Sequence, residues 1–407
     1  MPRHRRWSVP LAVVLAASLS HCAAPPERPA RAPVPAASAP APAVAPAPAT
    51  APVKPAPAPA PVPESRPAPP APVAAPEPET PAAPPKPAAP TVAPVTLILP
   101  LDSPDFRPAA EALRQGFFAA HTATATRTSV DVRRTDASPA SVLEAYATAI
   151  AGGTRVVVGP LTRSGVSVLA ASSSGKAAIL ALNQPETPVA LPPRFYTFGL
   201  AVEGESRVAA RAAFEQGLRT AAVLSSGTPL ARRTRDAFIA EWQALGGKVA
   251  ASLEATPASG YGGLRAALGR VQFDVAFLAA EAGAARQLRP YVGAAVPVFS
   301  TSQINDGRSD PVANLDMNGV RFTDVPWIVQ PGSPAVVGFP RPQGMGVDLE
   351  RFYALGIDAQ RIAMQLADGR SGFGFDGVTG RIEVGSGGVV ERTPRLAVFR
   401  DGAPVGE

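Results

Sequence analysis

Acid–base and nucleophilic chemistry in this chain would depend on one histidine and a few hydroxyl and carboxyl groups. Beyond residue 95 there is a single histidine, His121, and no cysteine. A Ser–His–Asp or Cys–His arrangement would need His121 as its base. This residue falls at the end of an expected surface helix, where the helix dipole favours histidine. Asp102 and Asp105 form a carboxylate pair of a kind that is common in loops. Catalysis is therefore the weakest hypothesis, and we predict no catalytic residue.

Metal, cofactor and nucleic-acid binding also find little support. Zinc sites use histidine and cysteine clusters that residues 96–407 cannot supply. The sequence contains no GxxxxGK[ST] loop and no GxGxxG turn that opens a helix after a strand. Residues 96–407 carry 30 Lys and Arg against 28 Asp and Glu, a balance that is close to neutral. We therefore predict no metal, no cofactor and no nucleic-acid partner.

Cys22 is the single cysteine of the chain, and it follows a short apolar segment. Three arginines precede this segment. The segment, residues 9–19, is too short to span a bilayer but has the length of the apolar region of a secretory signal peptide. Residues 19–22 (Leu-Ser-His-Cys) resemble the lipobox of bacterial lipoproteins, in which the cysteine thiol carries a diacylglycerol. His21 departs from that motif, which has a small residue there. We expect a signal peptide over residues 1–21 and lipid attachment at Cys22, with an ordinary cleaved signal peptide as the alternative.

Residues 22–95 are expected to form a disordered tether behind the lipidated cysteine. Residues 23–95 hold 27 Pro and 25 Ala and no aromatic side chain. Such a segment buries too little apolar surface to offset its ordering entropy. Fully extended, it could reach on the order of 200 Å. Ala23 stands where an aspartate would resemble the inner-membrane retention signal, so we expect the periplasmic face of the outer membrane.

Residues 96–407 alternate between apolar strands and amphipathic helices. Strands without polar positions are typical of parallel sheets that helices cover on both faces. The length suits two doubly wound sheets better than one, whereas residues 381–384 and 395–399 are expected to pair as an antiparallel hairpin at a sheet edge. The other expected strands cover residues 95–101, 128–133, 155–158, 178–182, 221–224, 248–253, 275–278 and 296–300.

This pattern predicts the α/β architecture of type I periplasmic binding proteins, with two parallel-sheet lobes and a cleft between them. We place the first lobe at about residues 96–198 and 324–378, and the second at about residues 199–323 and 379–407. Ligand-facing loops follow the carboxyl ends of parallel strands. The candidate cleft residues are Asp102, Ser103, Gly159, Pro160, Leu161, Thr162, Asn183, Gln184, Ser225 and Ser226.

Nine short phrases of the folded region occur in the order found in a known family. They begin with residues 97–101 (Leu-Ile-Leu-Pro-Leu) and end with residues 375–380 (Phe-Asp-Gly-Val-Thr-Gly). The most specific are residues 301–303, 318–327 and 352–359. Together they resemble the penicillin-binding protein activator (LppC/LpoA) family, over most of residues 95–402.

The resemblance implies a regulator without catalytic activity. Members of this family are outer-membrane lipoproteins that stimulate a class A penicillin-binding protein, the enzyme that polymerises and cross-links peptidoglycan. We therefore expect that synthase as partner, the outer membrane through the lipid anchor, and peptidoglycan as a further contact. The best-known members carry a helical-repeat domain where this chain has its proline- and alanine-rich segment, so the identity of the synthase does not carry over.

The resemblance leaves two alternatives to an activator. The fold alone also suits a solute-binding lipoprotein that captures a small ligand between its lobes, and a structural wall protein is the third reading. The region around the crossing between the lobes supplies the candidate hinge residues Gly199, Asp324, Pro326 and Trp327. We expect Trp327 to pack the hinge rather than to contact a partner.

Overall fold

The structure is a computed structural model that describes residues 94–125, 127–256, 260–385 and 388–407. The expected signal peptide, Cys22 and nearly all of the expected tether lie outside the described residues. Within the described part of the chain, no helix combines the length and the apolar character needed to cross a bilayer.

The first lobe is built from alternating strands and helices, and its five strands form one parallel sheet. The five residues of the first strand are all buried, as expected for a strand with helices on both faces. Ser138 accepts a hydrogen bond from the Ser141 N–H at 3.2 Å and caps the second helix. The elements are β1 (Val95–Leu99), α1 (Arg107–Ala123), β2 (Val130–Arg134), α2 (Pro139–Ala151), β3 (Val156–Val158), α3 (Arg163–Ser172), β4 (Ala178–Ala181) and β5 (Phe195–Thr197). The sheet order is β2-β1-β3-β4-β5.

The second lobe repeats this design around a second sheet. Its elements are α4 (Val202–Glu215), β6 (Thr220–Ser225), α5 (Pro229–Ala244), β7 (Lys248–Glu254), α6 (Leu264–Leu268), β8 (Val275–Ala279), α7 (Ala282–Leu288), β9 (Val298–Ser300) and β10 (Arg321–Asp324). These five strands are parallel, in the order β7-β6-β8-β9-β10. Phe238 of α5 stacks on Phe277 of β8 with ring centroids 4.0 Å apart. The two parallel sheets agree with the predicted pair of doubly wound lobes.

The chain then returns to the first lobe through α8 (Pro326–Val329) and α9 (Val347–Ala367). A small antiparallel sheet follows, formed by β11 (Phe373–Asp376), β12 (Arg381–Val384) and β13 (Val390–Thr393). Ile382, Val384 and Val390 are buried in the same apolar cluster as β1 and α9. Strands β12 and β13 therefore pack with the first lobe, whereas the expected boundary assigned residues 379–407 to the second.

The predicted pairing of residues 381–384 with 395–399 is wrong. The last two strands, β14 (Arg395–Arg400) and β15 (Ala403–Gly406), form a hairpin of their own on the second sheet. β14 pairs antiparallel with β10, and β15 is the outermost strand on that side. Strand β12 lies in the small sheet because its alternating buried residues fill the first lobe's core.

Helices α1 and α9 cross at two facing glycines. A side chain at Gly116 would collide with the backbone of Tyr353, and one at Gly356 would collide with the carbonyl of Leu113. Because neither glycine carries a Cβ atom, the two backbones pack directly against each other. This close crossing fixes α9 on the first lobe, beside the point where the chain changes lobes.

Candidate functional site

Three segments connect the two lobes, and the predicted hinge residues lie in two of them. Gly199 lies between β5 and α4, and Asp324 ends β10 just before Pro326 and Trp327 open α8. The third connection, between β13 and β14, passes through Pro394. The structure therefore brings all four predicted hinge residues to the junction of the lobes.

Arg392 joins elements of both lobes through its buried guanidinium. It donates to the carbonyl oxygens of Gly199 at 3.2 Å and Thr379 at 3.1 Å. Its third nitrogen contacts the Glu205 carboxylate of α4 at 3.1 Å, and the two side chains are only 5% and 2% exposed. Removing one partner alone would leave a buried charge without its counter-charge, so each partner requires the other at this contact between β13 and α4.

A second arginine extends these contacts to the next connection. Arg351 of α9 donates to both carboxylate oxygens of Asp324, at 3.0 and 2.7 Å, and also to the carbonyl oxygen of Ser302 at 3.1 Å. Burial acts to lower the pKa of Arg351, but the carboxylates of Asp324, Glu205 and Asp348 together outweigh it and the pKa is raised. The Ser302 N–H in turn donates to Glu205 at 3.1 Å. The backbone of Ser302 therefore joins the Arg392–Glu205 and Arg351–Asp324 ion pairs into one buried network, which contacts all three connections between the lobes.

Trp327 is fully buried, as the prediction of a packing role required. Its indole N–H donates to Glu350 at 2.9 Å, and the guanidinium of Arg341 lies 3.9 Å from the centre of its ring. Tyr353 of α9 packs against it with ring centroids 5.3 Å apart. Trp327 of α8 therefore packs against α9 and holds the two helices together.

Most of the predicted cleft residues of the first lobe make contacts with neighbouring residues of the same lobe. Asp102 pairs with Arg134 at 2.6 Å on the surface, while the Ser103 carbonyl accepts the Arg107 N–H at 2.8 Å. Gly159 packs against the carbonyl of Ile98, at a φ of +108° that disfavours a side chain.

The following loops show the same behaviour. Pro160 and Leu161 are buried, and Thr162 caps α3 by accepting the Gly165 N–H at 3.3 Å. Asn183 donates to the Leu161 carbonyl at 3.0 Å. These residues shape the loops at the carboxyl end of the first sheet through hydrogen bonds to neighbouring backbone groups.

One of the two predicted serines of the second lobe, Ser226, contacts a carboxylate that sequence reasoning missed, that of Glu281. Ser226 and Thr228 donate to the two oxygens of Glu281 at 2.8 and 2.5 Å. Ser225 accepts the N–H of Gly227 at 3.2 Å and stabilises the turn. Burial acts to raise the pKa of Glu281, but the hydrogen bonds from Thr228, its own backbone and Ser226 hold the pKa below its ordinary value. The serine hydroxyls are thus occupied within the protein.

Gln184 and Gly199 are the predicted residues that the structure brings together around an open space. They line a groove of about 210 Å³ between the lobes, whose walls are formed by α4 and β13. Gln184 was predicted as a cleft residue and Gly199 as a hinge residue. The groove lies beside the Arg392–Glu205 pair, since Arg392 also lines it.

The described residues contain no candidate metal centre, and the one histidine among them packs against an aromatic ring. Across residues 94–125, 127–256, 260–385 and 388–407, no group of three or more His, Cys, Asp or Glu side chains could hold a metal ion. His121 packs edge-on against Phe118, with ring centroids 6.2 Å apart.

Comparison with known proteins assigns the chain to a family. The family model described as LppC putative lipoprotein matches residues 88–259 and 262–402. The chain belongs to the LppC family. This finding confirms the resemblance seen in the nine phrases of the sequence.

Relatives of this LppC chain carry the name of an activator. It is 28% identical over 314 residues to the penicillin-binding protein activator LpoA of Edwardsiella ictaluri, covering 66% of this chain and 46% of the relative. It is 27% identical over 343 residues to LpoA of Photobacterium profundum, covering 75% of this chain and 55% of the relative. The chain thus spans about half the length of the relatives it matches.

Solved structures confirm the type I periplasmic-binding-protein-like fold of this LppC chain. The C-domain of LpoA (YraM) from Haemophilus influenzae, described as a regulator of PBP1A, matches with a TM-score of 0.67 and 25% identity, over 77% of this chain and 99% of that one. A putative branched-chain amino acid ABC transporter from Chromobacterium violaceum matches with a TM-score of 0.64 and 35% identity, over 75% and 99% of the two chains.

Proposed function

We propose that this protein is an outer-membrane lipoprotein that binds a class A penicillin-binding protein and stimulates peptidoglycan synthesis. One observation carries the proposal: the fold matches 99% of a domain described as a regulator of PBP1A, within a family whose relatives are named as activators. The relatives are about twice as long as the matched region, so the proposal does not carry over the named partner PBP1A and specifies only a class A synthase of the same cell.

The protein acts by binding and has no catalytic step of its own. Its hydroxyls at the sheet ends are engaged with Glu281 or with backbone groups, and His121 is packed against Phe118. The linked charges of Arg392, Glu205 and Arg351 support a body that keeps its shape while it contacts a partner. Preorganised surfaces lose less conformational entropy on association.

The anchor in this proposal is a lipid on Cys22. The arginines, the apolar stretch and the Leu-Ser-His-Cys sequence support it, and Ala23 favours the outer membrane. From there the domain would reach a synthase of the inner membrane across the periplasm.

A reconstituted synthesis assay tests the proposed function. Residues 23–407 would be added to a purified class A synthase with its lipid-linked precursor, and glycan polymerisation and cross-linking would be measured separately. We expect binding and a higher rate of at least one of the two reactions, with no product when the synthase is left out. A standard transient interface of ~1,200 Å² or more is sufficient for micromolar affinity. Absence of both binding and rate change with every class A synthase of the cell would refute the proposal.

A second candidate function is a solute-binding lipoprotein. The observation that favours it is the 35% identity with a protein described as a putative branched-chain amino acid transporter. Native mass spectrometry of the protein purified from its own cells distinguishes the two. A small molecule retained in stoichiometric amount, together with no effect on synthases, would support the solute-binding function.

A further inference from the structure

A second groove lies in the first lobe, between α1 and the segment that leads into α9; we call it the α1 groove. Its volume is about 650 Å³, within the ~300–1,000 Å³ typical of ligand pockets. Pro340, Arg341, Pro342 and Tyr353 line one side. The other side is one face of α1, whose lining residues recur at the spacing of neighbouring helix turns, namely Arg114, Gln115, Phe118, Ala119, Thr122 and Ala123. An aromatic ring, two prolines and two alanines therefore give this groove a largely apolar lining.

The α1 groove is preformed by contacts among its lining residues and the core beside it. The Tyr353 hydroxyl donates to the carbonyl oxygen of Pro340 at 2.9 Å. The guanidinium of Arg341 lies 3.9 Å from the centre of the buried Trp327 ring. A ligand therefore meets walls that are already ordered, which lowers the entropic cost of binding.

Both charged side chains that line the α1 groove are arginines. Arg114 donates to Glu111 through Nε and Nη2, at 2.9 and 2.6 Å, and among the described residues its Nη1 has no hydrogen-bond acceptor. Arg341 contacts Glu350 only at 3.4 Å, and its side chain is 37% exposed. Neither glutamate is a lining residue. Because guanidinium groups bind carboxylates through several N–H donors, the groove suits an apolar extended segment that carries carboxylates.

The expected tether contains one sequence with this chemistry, residues 76–80 (Pro-Glu-Pro-Glu-Thr). Residues 23–94 hold four side-chain carboxylates, and two of them are those of Glu77 and Glu79. No Lys or Arg lies within six positions of either, whereas each of the other two glutamates lies within two positions of an arginine. Residues 76–80 are therefore the acidic stretch of a proline-rich sequence, and their charge is complementary to that of the groove.

The acidic stretch and the α1 groove also match in length. From Arg114 to Ala123, α1 rises ~14 Å, at ~1.5 Å per residue. Five residues of proline-rich chain span ~15 Å, at ~3.1 Å per residue. The 14 residues that follow, 81–94, could extend ~43 Å. Since the 17 residues of α1 span only ~26 Å, this link is long enough for residues 76–80 to reach the groove.

We propose that residues 76–80 bind in the α1 groove of the same molecule, a contact that goes beyond activation of a synthase. The prolines pack on Phe118, and the carboxylates of Glu77 and Glu79 each contact one of the two arginines. Proline-rich segments bind aromatic-lined grooves at low entropic cost, because their extended form is largely preset. The covalent link adds an effective concentration in the millimolar range.

This contact would regulate the reach of the tether. Binding takes residues 76–94 out of its free length, and these 19 residues account for ~60 Å of an extended length on the order of 200 Å. A ligand that displaces the acidic stretch from the groove would restore that length. Occupancy of the groove and reach of the tether are therefore coupled.

Disulfide trapping in residues 23–407 tests the proposal, since this part of the chain has no cysteine. Thr80→Cys would be combined with Thr122→Cys in the groove, and disulfide formation would be followed in oxidised glutathione. The control combines Thr80→Cys with Ala151→Cys, an exposed position of α2 outside the groove. We expect the groove pair to react about tenfold faster than the control pair.

The control position favours the opposite result. Ala151 lies near the point where the chain enters β1, because the N–H of Arg155 donates to the carbonyl oxygen of Pro94 at 3.0 Å. A segment without a preferred site would therefore react at least as fast with the control position as with the groove.

Charge changes test the contribution of the two glutamates. Glu77→Gln together with Glu79→Gln should slow trapping of the groove pair about fivefold or more, whereas the matched control Glu64→Gln should leave it unchanged. Ala123→Glu, at an exposed lining position, should also slow it, and Ala123→Lys should leave it equal or faster. Opposite effects at one position separate charge from bulk.

Four results would overturn the proposal. Three are equal trapping rates for the groove and control pairs, an unchanged rate in the double glutamine variant, and the same effect of Ala123→Glu and Ala123→Lys. The fourth is covalent dimers as the main product, because the occupant would then belong to a second copy of the chain. The melting temperatures of the variants confirm that each remains folded. The synthase assay does not depend on the α1 groove, so failure of one proposal leaves the other standing.

Discussion

Arg392 and Glu205 form an ion pair of 3.1 Å between the last strand before the third connection and the first helix of the second lobe. Both side chains are almost completely buried, which distinguishes this pair from the exposed pairs of the surface. Since Arg392 also donates to Gly199 and Thr379, the pair holds two connections between the lobes at once. Together with the similarly buried Arg351–Asp324 pair, it links the segments that connect the lobes.

Loss of one partner of this pair should strongly destabilise the protein. We expect Arg392→Met or Glu205→Gln to lower the free energy of unfolding by about 3–5 kcal/mol, because a buried charge or dipole loses its partner. The double variant should cost less than the sum of the two single changes. Chemical denaturation of the four proteins measures this. Arg134→Ala is the control, since its pair with Asp102 is exposed and should contribute at most about 1 kcal/mol. Equal effects of Arg134→Ala and Arg392→Met would contradict the assigned importance of burial.

The crossing of α1 and α9 should tolerate no added methyl group. We expect Gly116→Ala and Gly356→Ala each to destabilise the protein by about 1–3 kcal/mol or more, because the new Cβ atom meets backbone that cannot move aside. Gly283→Ala in α7 is the matched control, since a Cβ there meets open space and alanine favours the helix by about 1 kcal/mol. Thermal unfolding of the three variants compares them. A destabilised Gly283→Ala, or a neutral Gly116→Ala, would show that the crossing is looser than described.

The parallel sheets could be predicted because their strands are apolar on both faces. Val156–Val158 and Ala178–Ala181 are buried throughout, so composition alone marks them as central strands. Strand β12 is different: its residues alternate between exposed and buried, and such a strand fits the edge of several sheets. Its true partners, β11 and β13, follow from packing on the first lobe, which pattern alone does not reveal.

The candidate site was less predictable because its contacts join residues far apart in sequence. Glu281 accepts hydrogen bonds from the hydroxyls of Ser226 and Thr228, which lie more than 50 positions away in the sequence. Arg392 and Glu205 are 187 positions apart, and neither belongs to a motif. The predicted hinge residues Asp324 and Trp327 lie where the chain leaves β10, but their charged partners, Arg351 and Glu350, follow only from the fold.

Glu281 should make part of the stability depend on pH. Its folded pKa is lowered by the hydrogen bonds from Thr228, its own backbone and Ser226, which outweigh the opposing effect of burial. A carboxylate of this kind contributes stability above its unfolded pKa of about 4.3, and the contribution is lost as the pH falls through the lower folded value. Glu281→Gln should therefore flatten the acid limb of a plot of stability against pH, while stability at neutral pH decreases. Denaturation midpoints between about pH 3 and 7 measure this. An acid limb identical to that of the unchanged protein would refute it.

Cys22 should determine where the protein is found in the cell. If its thiol carries lipid, the unchanged protein will fractionate with outer membranes and will be extracted by detergent, whereas Cys22→Ser will be released with the soluble periplasmic fraction. Lipid chains bind membranes in proportion to their buried methylene groups, at about 0.8 kcal/mol each, so two acyl chains suffice for a stable anchor. His21→Gly provides a matched variant, because it restores a small residue before the cysteine and should leave the membrane fraction equal or larger. An unchanged protein that already fractionates as soluble, with no effect of Cys22→Ser, would refute the anchor. The synthase assay on residues 23–407 would still test the proposed activator, since it does not depend on the lipid.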